Sequence, residues 1–225
     1  MNIKNRYILF PLTAAGISFA IFVFAGIFVA LAVEPQYLFL LPLLLPTAIF
    51  LLIALAKHRR AIRDSTAMVA TFILLLLLIP AWFFYSLYLM MIQSTKLTDD
   101  VRYYPRAFDA IEYRDEIGRV FPEEIPEDAE DVEFTYIPGF LQGGEELRLS
   151  YKTDSIDEWA NRLSSSVEWS GSVGEYEKLT GSSLFTADAD DRMYLLFNEG
   201  CNHGKQCYAI IDESLSRVSF YYFHW

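Results

Sequence analysis

Apolar residues follow two different patterns along this chain. Up to residue 92 they come in long unbroken runs: Tyr7 to Val33, Gln36 to Ala56 and Ala67 to Ile92 contain no charged residue. Beyond residue 96 they are spaced singly or alternate with charged and hydroxyl side chains. A helix needs roughly 20 apolar residues to cross about 30 Å of hydrocarbon. The runs therefore predict three transmembrane helices, about 7–33, 36–56 and 67–92, within a membrane domain of residues 1–96. Glu34-Pro35-Gln36 is a short link, so the first two spans form a tight helical hairpin. Pro42 and Pro46 lie in the second span and Pro80 in the third. Such prolines are read as kinks repaired by neighbouring helices, and the alternative is a helix opened for a substrate. Gly16 with Ala20 and Gly26 with Ala30 are small-residue pairs that permit close helix approach. Trp82, Phe83, Phe84, Tyr85 and Tyr88 crowd one end of the third span, where aromatic rings anchor at a membrane interface.

Residues 97–225 predict a separate domain. Pro105 suits the first turn of a short helix carrying Phe108 and Ile111, with Gly118 at its end. The segment 121–133, with two prolines and a run of carboxylates, reads as an extended acidic loop. Val132, Phe134 and Tyr136 alternate with polar residues, as do Leu147, Leu149 and Tyr151; Pro138-Gly139 and Gly143-Gly144 supply turn chemistry between them, so a hairpin is expected. Ser155-x-x-Glu158 is a capping-box sequence, and Ile156, Trp159, Ala160 and Leu163 follow at helical spacing. Residues 164–187 are rich in serine and glycine, with short strands predicted near Val167 to Trp169 and Leu184 to Thr186. Met193 to Phe197, Tyr208 to Ile211 and Val218 to Phe223 predict an antiparallel meander. The expected fold class is a three-helix membrane anchor plus an α+β domain with an antiparallel sheet and helices on one face.

Charge divides the chain in the same place. The whole sequence carries a formal charge of −11, yet residues 1–96 hold seven basic and two acidic residues, and residues 97–225 hold 11 basic and 27 acidic ones, a net of −16. A domain that acidic is not expected to bind nucleic acid through its general field. Lys57, His58, Arg59, Arg60 and Arg63 cluster between the second and third spans, and Lys4 and Arg6 precede the first. Basic residues beside short loops stay in the cytoplasm. Both ends of the hairpin are therefore expected inside, with residues 97–225 carried to the extracytoplasmic side of a multi-pass cell-membrane protein. Ala30-Leu31-Ala32 also resembles a signal-peptidase site. The apolar run before it is longer than a usual signal core, and the last two spans would deliver the domain outside in either case.

The spans contain no ionisable group of the kind that ion pathways need. Cys201 and Cys207 are the only cysteines. Read as part of one connection between strands, outside the cytoplasm, they are expected to form a disulfide. A metal site using Cys201, His203, Cys207 and His224 is the rival, although the spacing matches no common zinc pattern; Cys-x-x-Cys redox spacing is absent. No nucleophile-elbow, zinc-protease, phosphate-loop or dinucleotide motif is present, and the residues around Gly171 to Gly174 are too acidic to cradle phosphate. Asp188, Asp190 and Asp191 read as a solvated turn, with a calcium loop as the alternative. No catalytic residue, cofactor or metal is assigned. The terminal stretch Phe220 to Trp225 carries aromatic residues on both faces; it reads first as an ordinary buried strand, and the alternative makes Tyr221, Phe223 and Trp225, with His203, a candidate binding surface.

Phe121-Pro122 to Ile125-Pro126, then Phe134-x-Tyr136-x-Pro138-Gly139-Phe140-Leu141-Gln142-Gly143-Gly144 and Leu147-x-Leu149-x-Tyr151, resemble a pattern in uncharacterised membrane-anchored or secreted proteins of Gram-positive, clostridial-type bacteria. Asn202-His203-Gly204, the strand Tyr208 to Ile211 and the ending on Trp225 extend the likeness over about 100 residues, outside the three spans. The resemblance implies a shared fold and no activity; the cysteines flanking Asn202-His203-Gly204 depart from it.

The expected function is a membrane-anchored extracytoplasmic binding or interaction module. Its partner would be an envelope protein or wall component, or it would serve as an accessory subunit of an envelope complex. The alternative is a cell-envelope hydrolase using paired acidic residues.

Overall fold

A computed structural model describes residues 6–139, 144–181, 187–199 and 204–225. The chain divides into two compact units, Met1–Gln93 and Ser94–Trp225.

The first unit holds helices α1 (Arg6–Leu31), α2 (Leu41–His58, entered through a 3-10 turn at Tyr37–Leu40) and α3 (Asp64–Thr95). Their apolar spans run 24, 22 and 32 residues, or about 36, 33 and 48 Å at the helical rise. Each is long and apolar enough to cross a membrane, and this unit makes the chain a membrane protein. Large apolar side chains face outward along all three, among them Phe24, Leu52 and Leu76, as lipid contact requires. Ser18 and Thr71 donate their hydroxyls to the carbonyls of Ala14 and Ala67, four residues back, so neither buried polar group is left unpaired. Pro11, Pro46 and Pro80 lie inside unbroken helices, whereas Pro42 sits in the first turn of α2, where a missing N–H is harmless. Of the two small-residue pairs, a Cβ on Gly26 would meet Leu40 at 3.8 Å, whereas one on Gly16 would meet nothing described within 4 Å. The Tyr85 hydroxyl donates to the Phe39 carbonyl at 2.6 Å, tying α3 to the entrance of α2.

Helix α2 ends in a Schellman arrangement. The Arg60 N–H donates to the Lys57 carbonyl and the Ala61 N–H to the Ala56 carbonyl, with Arg60 at φ 59°. Glycine is the usual residue in that left-handed position.

The second unit opens with α4 (Tyr104–Ala110) and α5 (Arg114–Ile117). A six-stranded open sheet follows, in the order β1-β2-β6-β5-β4-β3: β1 (Glu130–Ile137), β2 (Glu145–Lys152), β3 (Trp169–Ser172), β4 (Arg192–Asn198), β5 (Lys205–Asp212) and β6 (Arg217–His224). All neighbours pair antiparallel. Helices α6 (Ile156–Ser164) and α7 (Val173–Thr180) follow β2 and β3. This is the α+β class expected.

One sheet face is the core. Leu147, Leu149 and Tyr151 of β2, Val218, Phe220 and Tyr222 of β6, and Cys207, Ala209 and Ile211 of β5 are all buried on it. Phe220 meets Phe121 at 5.4 Å, Tyr151 at 5.9 Å and Trp159 of α6 at 5.2 Å between ring centroids. Tyr104 of α4 meets Phe134 edge-on at 5.7 Å and donates its hydroxyl to the Pro122 carbonyl. Arg162 lies over the Trp159 ring at 4.7 Å and donates to the Phe121 carbonyl.

Several local expectations change. The helix begun near Pro105 breaks at Ile111, which is extended and buried, and Gly118 ends α5 without a positive φ. The acidic loop is shorter than expected, because β1 begins at Glu130 and takes Asp131 into an irregular pairing at φ 47°. The Ser155 capping box does not form: its hydroxyl donates to Asp128 at 3.1 Å. The capping box is at Ser172 and Glu175 instead, opening α7 in the serine–glycine stretch. The strand expected at Leu184 to Thr186 lies outside the described residues.

Candidate functional site

Among the described residues, the second sheet face is covered at one end only. Val173 and Tyr176 of α7 pack there on Met193 and Ile210, with Trp169, Leu195, Tyr208 and Tyr221 alongside. Trp169 lies across its own strand: a Cβ on Gly171 would come within 2.6 Å of that ring, so only glycine fits.

From β5 across β6 to β2 and β1 the same face is open. The even positions of β2 meet the odd positions of β6, pairing Glu146 with Phe223, Arg148 with Tyr221 and Ser150 with Ser219. A cavity of about 530 Å³ lies over this floor, bordered by Glu133, Thr135, Arg148, Ser150, Arg217 and Tyr221. A second, of about 220 Å³, shares Arg148 and Tyr221 and continues past Glu146, Gln206, Tyr208 and Phe223. Together they form one shallow trough, with hydroxyls and guanidiniums at one end and aromatic rings at the other.

The polar end is internally bonded. The Arg217 guanidinium donates to Ser150 Oγ at 2.9 Å and lies 3.8 Å from the Glu133 carboxylate, and the Ser150 and Ser219 hydroxyls are 2.8 Å apart. Arg148 pairs with Glu146. In the middle, Tyr208 and Tyr221 stack at 4.9 Å and 20°, and burial pushes the Tyr208 hydroxyl well above the usual phenol range.

At the aromatic end Phe223 packs against Gly144, the residue that leads into β2. A Cβ on Gly144 would fall 2.8 Å from its ring, so the missing side chain gives the ring its seat. Trp225 stands against Phe223 at 5.1 Å and 87°; it is 60% exposed, and its N–H donates to the Gly204 carbonyl. The structure thus brings Tyr221, Phe223 and Trp225 onto one open face. His203 lies outside the described residues.

The two cysteines divide in the same way. Cys207 is not in a connection: it is the third residue of β5, wholly buried in the core between Phe197 and Tyr222 of the neighbouring strands. Burial pushes its thiol well above the usual range. Among the described residues it is a free thiol, and Cys201 lies outside them. His224 holds its Nδ1 3.7 Å from the Glu112 carboxylate and meets Tyr113 edge-on at 5.0 Å. Among the described residues no three histidine, cysteine or acidic side chains gather as a metal site would require. The Asp188–Asp191 turn closes on itself: the Asp188 N–H donates to the Asp191 carboxylate and the Asp191 N–H to the Asp188 carbonyl.

Sequence reasoning missed Glu145. Its side chain sits on the core face, almost enclosed, and accepts hydrogen bonds from Tyr136 at 3.2 Å, Tyr222 at 3.4 Å and the Glu112 N–H at 3.4 Å. Burial raises its pKa above the carboxylate norm, against these hydrogen bonds, which lower it. The only signal in the chain was an acidic residue at a strand position whose alternation points inward.

No protein-family model, no curated protein and no solved structure matches this chain.

Proposed function

We propose that the chain is a membrane-anchored binding module, with its second unit on the extracytoplasmic side of the cell membrane and the open sheet face as its recognition surface. The single observation that carries this reading is the one-sided covering of the sheet. Helices α4 to α6 close one face, while the other keeps a trough of aromatic rings and arginines over β1, β2, β6 and β5. An antiparallel sheet needs only one covered face to be stable, and the open one is where large aromatic side chains gain most from a partner.

The basic link supports the orientation. A non-glycine residue in the left-handed position costs roughly 1–2 kcal/mol, yet Arg60 occupies it. A cation there serves retention on the cytoplasmic side, where glycine would serve only the turn. The envelope partner and the kinship to clostridial-type proteins belong to the same proposal. The hydrolase reading rests on Glu145, a protonatable carboxyl flanked by tyrosine hydroxyls, with no second acidic side chain hydrogen-bonded to it among the described residues.

The test uses intact cells. With Cys201→Ser and Cys207→Ala as background, a membrane-impermeant maleimide should label Leu179→Cys at once and Ser65→Cys only after permeabilisation. A photo-cross-linking residue at Arg148 should then form adducts that one at exposed Asn161 on α6 does not. Reversed labelling would overturn the orientation, and equal adducts from both positions would overturn the recognition face.

A further inference from the structure

We infer that the Phe223–Trp225 corner of the open face is a subsite for an uncharged, hydroxyl-rich glycan, a reading that rests on the recognition surface proposed above. The geometry is a floor and a wall. Phe223 is seated over Gly144, where a Cβ would fall 2.8 Å from its ring, and it lines the smaller cavity of the trough. Trp225 rises beside it at 87° and is mostly exposed. Aromatic ring faces carry negative charge density, which suits the weakly positive C–H groups on the face of a pyranose. Cross-strand pairing then puts Glu146 on one side of Phe223 and Gln206 on the other, with Arg148 one pair further along. Polar groups on both sides of a ring match a ligand with hydroxyls around its rim and C–H bonds on its face.

Charge selects the neutral ligand. Residues 97–225 carry a net −16, a field that repels polyanions. At the corner itself the Glu146 carboxylate is closed by Arg148, and the arginine is the outer partner, 55% exposed against 15% for the glutamate. A cation approaching Phe223 therefore meets a guanidinium rather than a free carboxylate. A polyol engages both members of the pair without desolvating a charge of its own. The trough continues along β6 from Trp225 to Arg217, about 26 Å at the strand rise, so a glycan chain can run from the corner over Tyr221 toward Ser219.

The test is saturation-transfer NMR on the full chain in lipid nanodiscs, prepared without glycoside detergents. The probes are hexamers of N-acetylglucosamine, β-1,4-linked glucose and α-1,4-linked glucose. At least one should receive saturation at its ring protons and shift the Trp225 emission. Trp225→Ala, an exposed change, and Gly144→Ala, which displaces the Phe223 ring, should each weaken that probe about tenfold, the loss of one central aromatic contact. Phe121→Leu, in the core, should leave the affinity unchanged. No saturation of any probe, or saturation unaffected by both corner variants, would overturn the inference. In that event cross-link adducts from position 148 on a protein would leave the recognition face standing with a different ligand; their absence would remove both.

Discussion

Glu145 shows what one residue does when its strand position and its chemistry disagree. The alternation of β2 turns it into the core, where desolvation raises its pKa from 4.5. The folded chain then holds the proton more tightly than the unfolded chain. The contribution of this group to stability is complete below about pH 4.5 and is lost as pH rises through the higher folded value. Glu145→Gln keeps the shape and removes the titration. Chemical denaturation at a series of pH values should find this variant flatter between pH 4.5 and 7 and more stable than the parent at neutral pH; parallel curves would mean that Glu145 does not titrate in the folded domain. Asp128 runs the other way. Hydrogen bonds from Thr153 at 2.5 Å and Ser155 hold its carboxyl below the usual range, so its contribution is present above the unfolded value and lost as pH falls. Ser216 is a conformational case: at φ 51° in the β5–β6 turn it strains where glycine would not. After the greater unfolded-state freedom of glycine is allowed for, Ser216→Gly should gain roughly 0.5–1 kcal/mol, read as a shift in denaturation midpoint.

At the scale of elements, two Ser-x-x-Glu sequences behave differently. Ser172 accepts from the Glu175 N–H, and Glu175 accepts from the Ser172 N–H, whereas the Ser155 hydroxyl is drawn to Asp128. Ser172→Ala should therefore cost about 1 kcal/mol and raise hydrogen exchange at the first amides of α7. Ser155→Ala should leave the first turn of α6 protected and weaken only the tie to Asp128. The same contrast marks what the sequence could reveal. The meander was legible because β4, β5 and β6 are short runs of apolar, β-branched and aromatic residues with polar loops between them. The helix α7 was not, because it is only eight residues long, with two buried side chains, Val173 and Tyr176, too few to set a period, and its capping pattern also occurs at Ser155. The open face was half legible. In β6 both faces are aromatic, Phe220 and Tyr222 against Tyr221 and Phe223, so periodicity identified the two sets but not the covered one. Arg148, Glu146 and Gln206 joined the site only through strand register, which residue type does not encode. The core set is the more sensitive: Phe220, held by three rings, should cost about 3–5 kcal/mol when truncated to alanine, while Trp225→Ala should leave stability almost unchanged.

The whole molecule couples a basic link in a membrane unit to an acidic domain, and the topology follows from whichever charges resist translocation. In the α2–α3 link Lys57 is paired with Asp64, and among the described residues Arg59, Arg60 and Arg63 have no acidic partner. Acidic residues count little in this choice and arginines count strongly, so the −16 of the domain does not by itself hold it on one side. Replacing Arg59, Arg60 and Arg63 by glutamine should therefore give a mixed population, read as partial loss of maleimide labelling at Leu179→Cys in intact cells. Moving two arginines into the Glu34-Pro35-Gln36 link should deepen that loss, because the two links then compete for the same side. Arg60→Gly separates charge from conformation. It relieves the left-handed strain at the end of α2 while removing one cation of three, so labelling should stay complete as the helix end gains roughly 0.5–1 kcal/mol. If the triple glutamine variant is labelled as fully as the parent, charge is not what orients the spans. The strained arginine at the end of α2 would then need a different explanation, one in which its side chain is held by the turn itself.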